Sequence, residues 1–211
     1  MSPSAALIAI YADESCLGNG REGDNPGGAA GLMESRHPRT GELVRLDYWL
    51  SDPATTNNQM AIHSAIEALR ILSATARRQA VVFTSDSQYL VKGMREWVPG
   101  WIRRGWRRKA GAVENLELWQ ELTDAARDHE IDWRWVRGHK GHPQNEYTNF
   151  LAVRAAQRLD NSGGAVPSEF EGWLAEERSH GRLRGAAAPL PEPGSFHPAA
   201  PLPSEPPASL F

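Results

Sequence analysis

The order of periodicities along the chain predicts a mixed α/β fold, a five-stranded sheet flanked by helices. Three strand patterns come first, followed by helix, strand, helix, strand and helix. Short apolar runs bounded by turn residues mark the strands, and apolar stripes at helical spacing mark the helices.

The first strand is expected over residues 5–12, an apolar run ending at Asp13. Residues 28–34 and 42–50 read as two antiparallel partners, joined by a hairpin around Pro38-Arg39-Thr40-Gly41. Asn57–Ser73 is a helix with Ile62, Ala65, Ile66, Leu69 and Leu72 on one stripe. Residues 80–84 form another buried strand, ending just before Asp86, and residues 87–95 and 97–103 are short helices. A helix over 114–129, a strand over 131–136 and a helix over 147–159 complete the body. The second set of strands is expected to be parallel. Trp119, Trp133 and Trp135 are assigned to the core.

The domain expected from this covers residues 1–159. Residues 160–184 read as a linker and a short helix, in which Ser168 and Glu171 have the spacing of a capping box and Phe170, Trp173 and Leu174 form the apolar face. Residues 185–211 hold eight of the 15 prolines among Ala, Ser and Gly, and are expected to be a disordered tail.

Composition narrows the function. One cysteine, Cys16, excludes an intramolecular disulfide framework and a cysteine-built zinc site. Met1-Ser2-Pro3-Ser4 lacks the basic start of a secretion signal, and no apolar run is long enough to span a membrane, so a cytoplasmic protein is expected. A net charge of −3 argues against an all-over basic coat, so a polyanionic partner would need a local patch.

Asp is depleted in strands, yet Asp13-Glu14 and Asp86 each follow an apolar strand. Singly, each Asp can be read as a turn or helix cap. Together, at one sheet edge, they can hold divalent cations, and two ions on a phosphodiester can orient a water and stabilise the leaving oxygen.

Several strings occur in order: Tyr11-Ala12-Asp13-Glu14-Ser15-Cys16-Leu17-Gly18-Asn19, Thr55-Thr56-Asn57-Asn58-Gln59-Met60 and Thr84-Ser85-Asp86-Ser87-Gln88-Tyr89. Trp97, Trp101 and Arg104-Gly105-Trp106 follow, then Trp133-Arg134-Trp135-Val136-Arg137-Gly138-His139-Lys140-Gly141-His142-Pro143 and Asn145-Glu146. From about Leu7 to Ala156 the chain resembles the bacterial type 1 ribonucleases H. The resemblance implies the ribonuclease H-like fold, Mg²⁺ or Mn²⁺ at one sheet edge (as a two-ion site), and endonucleolytic cleavage of the RNA strand of RNA–DNA hybrids. The ends left would be 5′-phosphate and 3′-hydroxyl. The protein is expected to act as a monomer and without a membrane.

Two of the family's four acidic positions depart from its pattern. Asp13 and Asp86 match, but Ala61 stands where the helix glutamate belongs and Asn149 where the last aspartate belongs. In compensation, Glu14 stands where the family usually has glycine, and type 2 ribonucleases H carry such an Asp-Glu pair on their first strand. Relocation of the glutamate gives a catalytic and metal-binding set of Asp13, Glu14, Asp86 and Asn149. Adjacent strand residues face opposite ways, so Glu14 is expected to reach the metals only if the strand ends or kinks there, in the irregular-looking residues 15–18. The alternative is an inactive hybrid-binding module that has lost its metals.

The resemblance assigns His139 to proton transfer or product release near the metals, a role suited to a group titrating near neutrality, and leaves His142 structural. Asn19, Asn57, Asn58 and Gln88 carry over as readers of the hybrid's minor groove, and Thr56 as part of a DNA-phosphate pocket. Residues 97–109 hold three tryptophans (Trp97, Trp101, Trp106) and five cations (Arg103, Arg104, Arg107, Arg108, Lys109). Such interleaving suits backbone and sugar contacts and matches the family's basic protrusion. The loop over residues 20–26 is longer than usual for the family and adjoins Asn19. Finally, Ser209-Leu210-Phe211 resembles the end of peptides that dock on the bacterial sliding clamp, although Pro207 replaces their leading Gln.

Overall fold

The computed structural model describes residues 7–18, 25–75, 77–108, 111–138 and 140–204. Strands β1 (Leu7–Cys16), β2 (Gly27–Arg36) and β3 (Leu43–Asp52) form an antiparallel meander. Helix α1 (Asn57–Ser73) then crosses to β4 (Ala80–Ser85), which lies parallel to β1, and β5 (Glu130–Trp135) extends the sheet parallel to β4. Between them lie α2 (Gln88–Lys92), a π-helical turn (Gly93–Trp97), α3 (Val98–Arg103) and α4 (Leu116–Arg127). Helices α5 (Pro143–Arg158) and α6 (Phe170–Ser179) follow, with β6 (Val166–Pro167) between them.

The sheet order is β5-β4-β1-β2-β3-β6. The mixed sheet agrees with the sequence expectation, with one addition. Two residues of the expected linker, Val166 and Pro167, pair with Asp47 and Leu46 to make a sixth strand. No helix among the described residues is long and apolar enough to cross a membrane.

Alternation along the strands sends side chains into two cores. Ile10, Ala12, Val81 and Phe83 join the stripe of α1 and the buried Trp119 and Leu122 of α4. Ala30 and Leu32 meet Tyr147, Leu151 and Ala152 of α5 and Phe170 and Leu174 of α6. The close seat of α5 depends on Gly28, because a Cβ there would lie 2.2 Å from Ala152 O and 2.5 Å from Ala156 N. That close approach fixes the helix carrying Asn145 and Asn149 over the end of β1.

Helix α1 begins where its sequence signals place it. Thr56 is the N-cap and exchanges hydrogen bonds with Gln59 in a capping box. The box expected from Ser168 and Glu171 does not form. Helix α6 starts at Phe170 without a side-chain cap, and Ser168 Oγ instead accepts from Phe170 N at 3.1 Å. Glu171 is drawn to Arg45, which also binds the buried Glu34 at 2.6 Å, and Asp47 accepts from Tyr147 Oη at 2.6 Å and Glu169 N at 3.2 Å. These bonds dock α6 on the sheet.

Residues 185–204, expected to be disordered, lie against the body. Ala199 N donates to Ile131 O at 2.9 Å, His197 N to Asp132 Oδ2 at 3.0 Å, and Leu202 packs on the larger core. Backbone hydrogen bonding to an edge strand leaves no compositional trace, which is why a Pro/Ala-rich stretch reads as unstructured.

Candidate active site at the sheet edge

The last β1–β4 pair is Ala12 with Ser85, so Asp13 and Asp86 emerge side by side where these two parallel strands end their contact. Asp13 is buried, and both of its oxygens are held. Oδ2 accepts from Asn145 Nδ2 at 2.9 Å, and Oδ1 accepts from Glu14 N at 2.7 Å. The main chain of Asp86 is fixed by Trp135, whose Nε1 donates to its carbonyl at 3.0 Å.

Glu14 joins this pair. Each of the three carboxylates offers an oxygen within 4.8 Å of the others. The end or kink of the strand that the sequence pattern calls for at Glu14 does not occur. β1 continues in register to Cys16, with Glu14 opposite Ala29 of β2. What ends is the neighbour on the other side. Beyond Ser85 no β4 residue flanks β1, so side chains leaving opposite faces can both bend round the open edge toward Asp86. Glu14 has the same parity as Ala12 and Ile10 and so leaves on the α1 side, where Ala61 is buried.

Burial, and after it Asp86, pushes Asp13 up to about 8. Glu14 is held well above the usual carboxylate range by burial first, then by Asp13 and Asp86, with a Ser87 hydrogen bond opposing. These are oxygen donors, desolvated and mutually repelling. A hard divalent cation suits that donor set, since it relieves the repulsion that otherwise retains protons.

Asn149 lies one helical turn beyond Asn145 on the same face of α5 and is half-buried. Asn145 is a site residue that the sequence pattern does not mark as one; its only signal there is a polar side chain four residues before Asn149. Glu146 also adds to the negative field on Asp13. His139 lies outside the described residues. His142 is structural as expected, capping α5 through Nδ1 (3.4 Å from Asn145 N) and packing on Tyr11 with ring centres 5.5 Å apart.

Thr56, Asn57 and Asn58 line one cleft of about 430 Å³ with Gln59, Glu114 and Asn115. Asn115 is a further member that sequence did not suggest. Its left-handed backbone (φ 54°) turns the chain into α4, and its Nδ2 donates to Tyr89 Oη at 3.2 Å. Gln88 is exposed at the start of α2, two residues past Asp86. Asn19 lies outside the described residues, as does the loop over 20–24.

The basic stretch divides into two. Arg103, Arg104, Arg107 and Arg108 are exposed, while Lys109 is not among the described residues. The tryptophans form a file leading inward, from Trp97 to Trp101 (6.0 Å between ring centres) and from Trp101 to Trp119 (5.9 Å). Trp106, expected to face substrate, is in the core instead. After α3 the chain doubles back, with Trp106 N donating to Trp101 O at 2.7 Å, which turns the indole inward. Trp135 departs in the opposite sense. Assigned to the core, it is 46% exposed, because it ends β5 beyond the helices that cover Trp133.

The family model described as RNase H matches residues 5–157. The ribonuclease H of Pelobacter propionicus is 41% identical over 161 residues, 75% of this chain and 91% of that protein. The chain belongs to the ribonuclease H family. The ribonuclease H of Halorhodospira halophila is 40% identical over 160 residues, covering 75% of this chain and 99% of its own. Among solved structures, LC9-RNase H1, described as a type 1 RNase H with the type 2 active-site motif, is 51% identical. It superposes with a TM-score of 0.89 over 97% of both chains. The PFV RNase H domain shares the fold, with a TM-score of 0.60 at 16% identity over 74% of this chain and 98% of that one.

Proposed function

We propose that the chain is a divalent-metal-dependent endonuclease that hydrolyses the RNA strand of RNA–DNA hybrids, leaving 5′-phosphate and 3′-hydroxyl ends. The meeting of Asp13, Glu14 and Asp86 at the edge of a ribonuclease H sheet carries this reading. When bound, a pair of Mg²⁺ or Mn²⁺ ions supplies Lewis acidity and a water of lowered pKa. Asp13, Glu14 and Asp86 would hold them through charged oxygens and Asn149 through a neutral one. Asn145 keeps the Asp13 carboxylate oriented, and His139 serves proton transfer or product release.

The hybrid lies across the edge that carries these groups. Asn57 Oδ1 is buried without a hydrogen-bond partner, and such an acceptor suits the donor of a ribose 2′-hydroxyl. Asn19, Asn58 and Gln88 read the same groove. Thr56, with Asn115, receives a DNA phosphate, and Trp97 with the exposed arginines of 103–108 and Lys109 follows the DNA strand. Trp101 supports Trp97 from behind. The −3 balance describes the whole chain and not this face. The lone Cys16, a free thiol raised to about 11 chiefly by burial, fits a reduced cytoplasmic setting and no catalytic duty.

A labelled RNA–DNA hybrid incubated with Mg²⁺ or Mn²⁺ is expected to be cut in its RNA strand, while duplex DNA is left intact. Binding without cleavage in either metal would restore the inactive-module reading. Because Asn149 lacks a charge, Mn²⁺ is expected to serve better than Mg²⁺. Asn149→Asp should lower the Mg²⁺ concentration for half-maximal cleavage by roughly tenfold, and equal activity at low Mg²⁺ in both proteins would contradict this. The tip Ser209-Leu210-Phe211, outside the described residues, is proposed to dock on the sliding clamp. Deleting Leu210 and Phe211 should remove clamp binding by the full chain, and no binding by the intact chain would end the idea.

A further inference from the structure

Residues 185–204 follow a defined course past the active-site edge. After α6, the Arg178 guanidinium holds the carbonyls of Leu183 at 3.4 Å and Gly185 at 2.9 Å. Gly185 passes close to Gly141, since a Cβ on it would lie 3.9 Å from Gly141 O. Ala188 then exchanges two hydrogen bonds with the side chain of Gln144, which donates to its carbonyl at 2.8 Å and accepts from its N–H at 3.1 Å. Gln144 is fully buried, so this segment, and not water, satisfies its amide.

Beyond the turn at Pro193–Ser195 the segment runs antiparallel to β5. Ser195 O accepts from Arg134, His197 N donates to Asp132, Ala199 N donates to Ile131 O, and Pro203 O accepts from Arg127 Nη2 at 3.0 Å.

These anchors bracket the link between β5 and α5, residues 136–142. Arg134 lies two residues before it and Gln144 two residues after. Inside the link, Gly138 is pressed against Asp86. A Cβ at 138 would stand 2.0 Å from Asp86 Oδ2 and 3.0 Å from its Cγ. Gly138 does not have a positive φ, so the glycine is required for space and not for backbone conformation. Wherever the link lies, it therefore bounds where the Asp86 carboxylate can lie. Cores and tight contacts of this kind transmit small displacements without absorbing them.

We propose that the strap of residues 185–204 is a positioning element of the active site. It holds both ends of the 136–142 link and, through Gly138, sets the Asp86 carboxylate against Asp13 and Glu14. The inference rests on the metal-site reading above, and it makes Gln144 a positioning residue that touches no substrate.

The test uses full-length protein carrying Gln144→Leu, Ala188→Pro or Gly138→Ala. The first removes both bonds between strap and link, the second removes the bond from the Ala188 N–H, and the third disturbs the carboxylate directly. Mn²⁺ affinity is measured by calorimetry, and kcat and KM on a hybrid are measured well below the melting temperature of each variant. Mn²⁺ affinity and kcat are expected to fall about tenfold in the two strap variants and about a hundredfold in Gly138→Ala, with KM changed by less than about twofold. Wild-type Mn²⁺ affinity and kcat in either strap variant, with only a lowered Tm, would overturn the proposal, as would wild-type Mn²⁺ affinity in Gly138→Ala. Ala188→Pro keeps the test open if Gln144→Leu fails to fold. If the wild-type chain binds Mn²⁺ but cuts no hybrid, the functional reading fails, and the Mn²⁺ comparison still decides the role of the strap.

Discussion

Glu14→Gln is expected to cut hybrid cleavage by about a thousandfold, the loss typical when one charged group is removed from the stabilisation of a transition state. The substitution keeps the shape of the side chain and removes one of three charges gathered within 4.8 Å. Loss of folding is not a competing explanation. The Glu14 carboxylate is held well above its ordinary range by burial and by Asp13 and Asp86, so its ionised form strains the metal-free fold. The variant should therefore melt at or above the wild-type temperature in EDTA while losing activity. Full activity in Glu14→Gln would mean that the glutamate missing at Ala61 has no replacement on β1.

Asp13→Asn is expected to trade activity for stability in the same way, with a sign fixed by pH. The Asp13 carboxyl stands at about 8 in the fold against an ordinary value of 3.8. Between those values the folded, metal-free chain holds a proton that the unfolded chain has released. The stabilisation linked to that proton is complete below about pH 4 and is lost as pH rises through about 8. Wild-type Tm in EDTA should fall over this window, whereas Asp13→Asn should show less of this fall. At pH 8 the variant should melt roughly 4–8 °C higher, the equivalent of about 2 kcal/mol in a chain of this size, and should not cleave. A wild-type Tm in EDTA that does not fall between about pH 4 and pH 8 would show that the carboxylate is not under this strain. Mn²⁺ should narrow the difference by stabilising the wild type more, because the variant has lost one of the three clustered carboxylates.

Where local signals are complete, the sequence locates an element to the residue. The capping box of Thr56 and Gln59 and the stripe from Ile62 to Leu72 bound α1 at Asn57–Ser73. Where a strand carries polar residues for function, the apolar run stops short of it. β1 runs on through Asp13, Glu14 and Ser15 to Cys16, four residues past the predicted end. The grouping of Glu14 with Asp13 and Asp86 follows from the residue pattern, but its geometric cause does not, because that cause is the end of β4 on the neighbouring strand. Trp106 and Trp135 exchange the environments expected of them. Both depend on where a turn or a strand end points, which composition does not record. The strap is illegible for a related reason. Its bonds run from backbone to β5 and to one buried glutamine, partners distant in sequence.

The proposed role of Glu14 as a metal ligand on β1 is tested by crystals of the full chain with an RNA–DNA hybrid and Mn²⁺, with the ions located by anomalous scattering. The expected result is at least one ion bound by Asp13 and Asp86, with a Glu14 oxygen about 2.1–2.3 Å from it. Ions held by Asp13 and Asp86 with Glu14 turned away, beyond coordinating distance, would show that Glu14 is not a ligand.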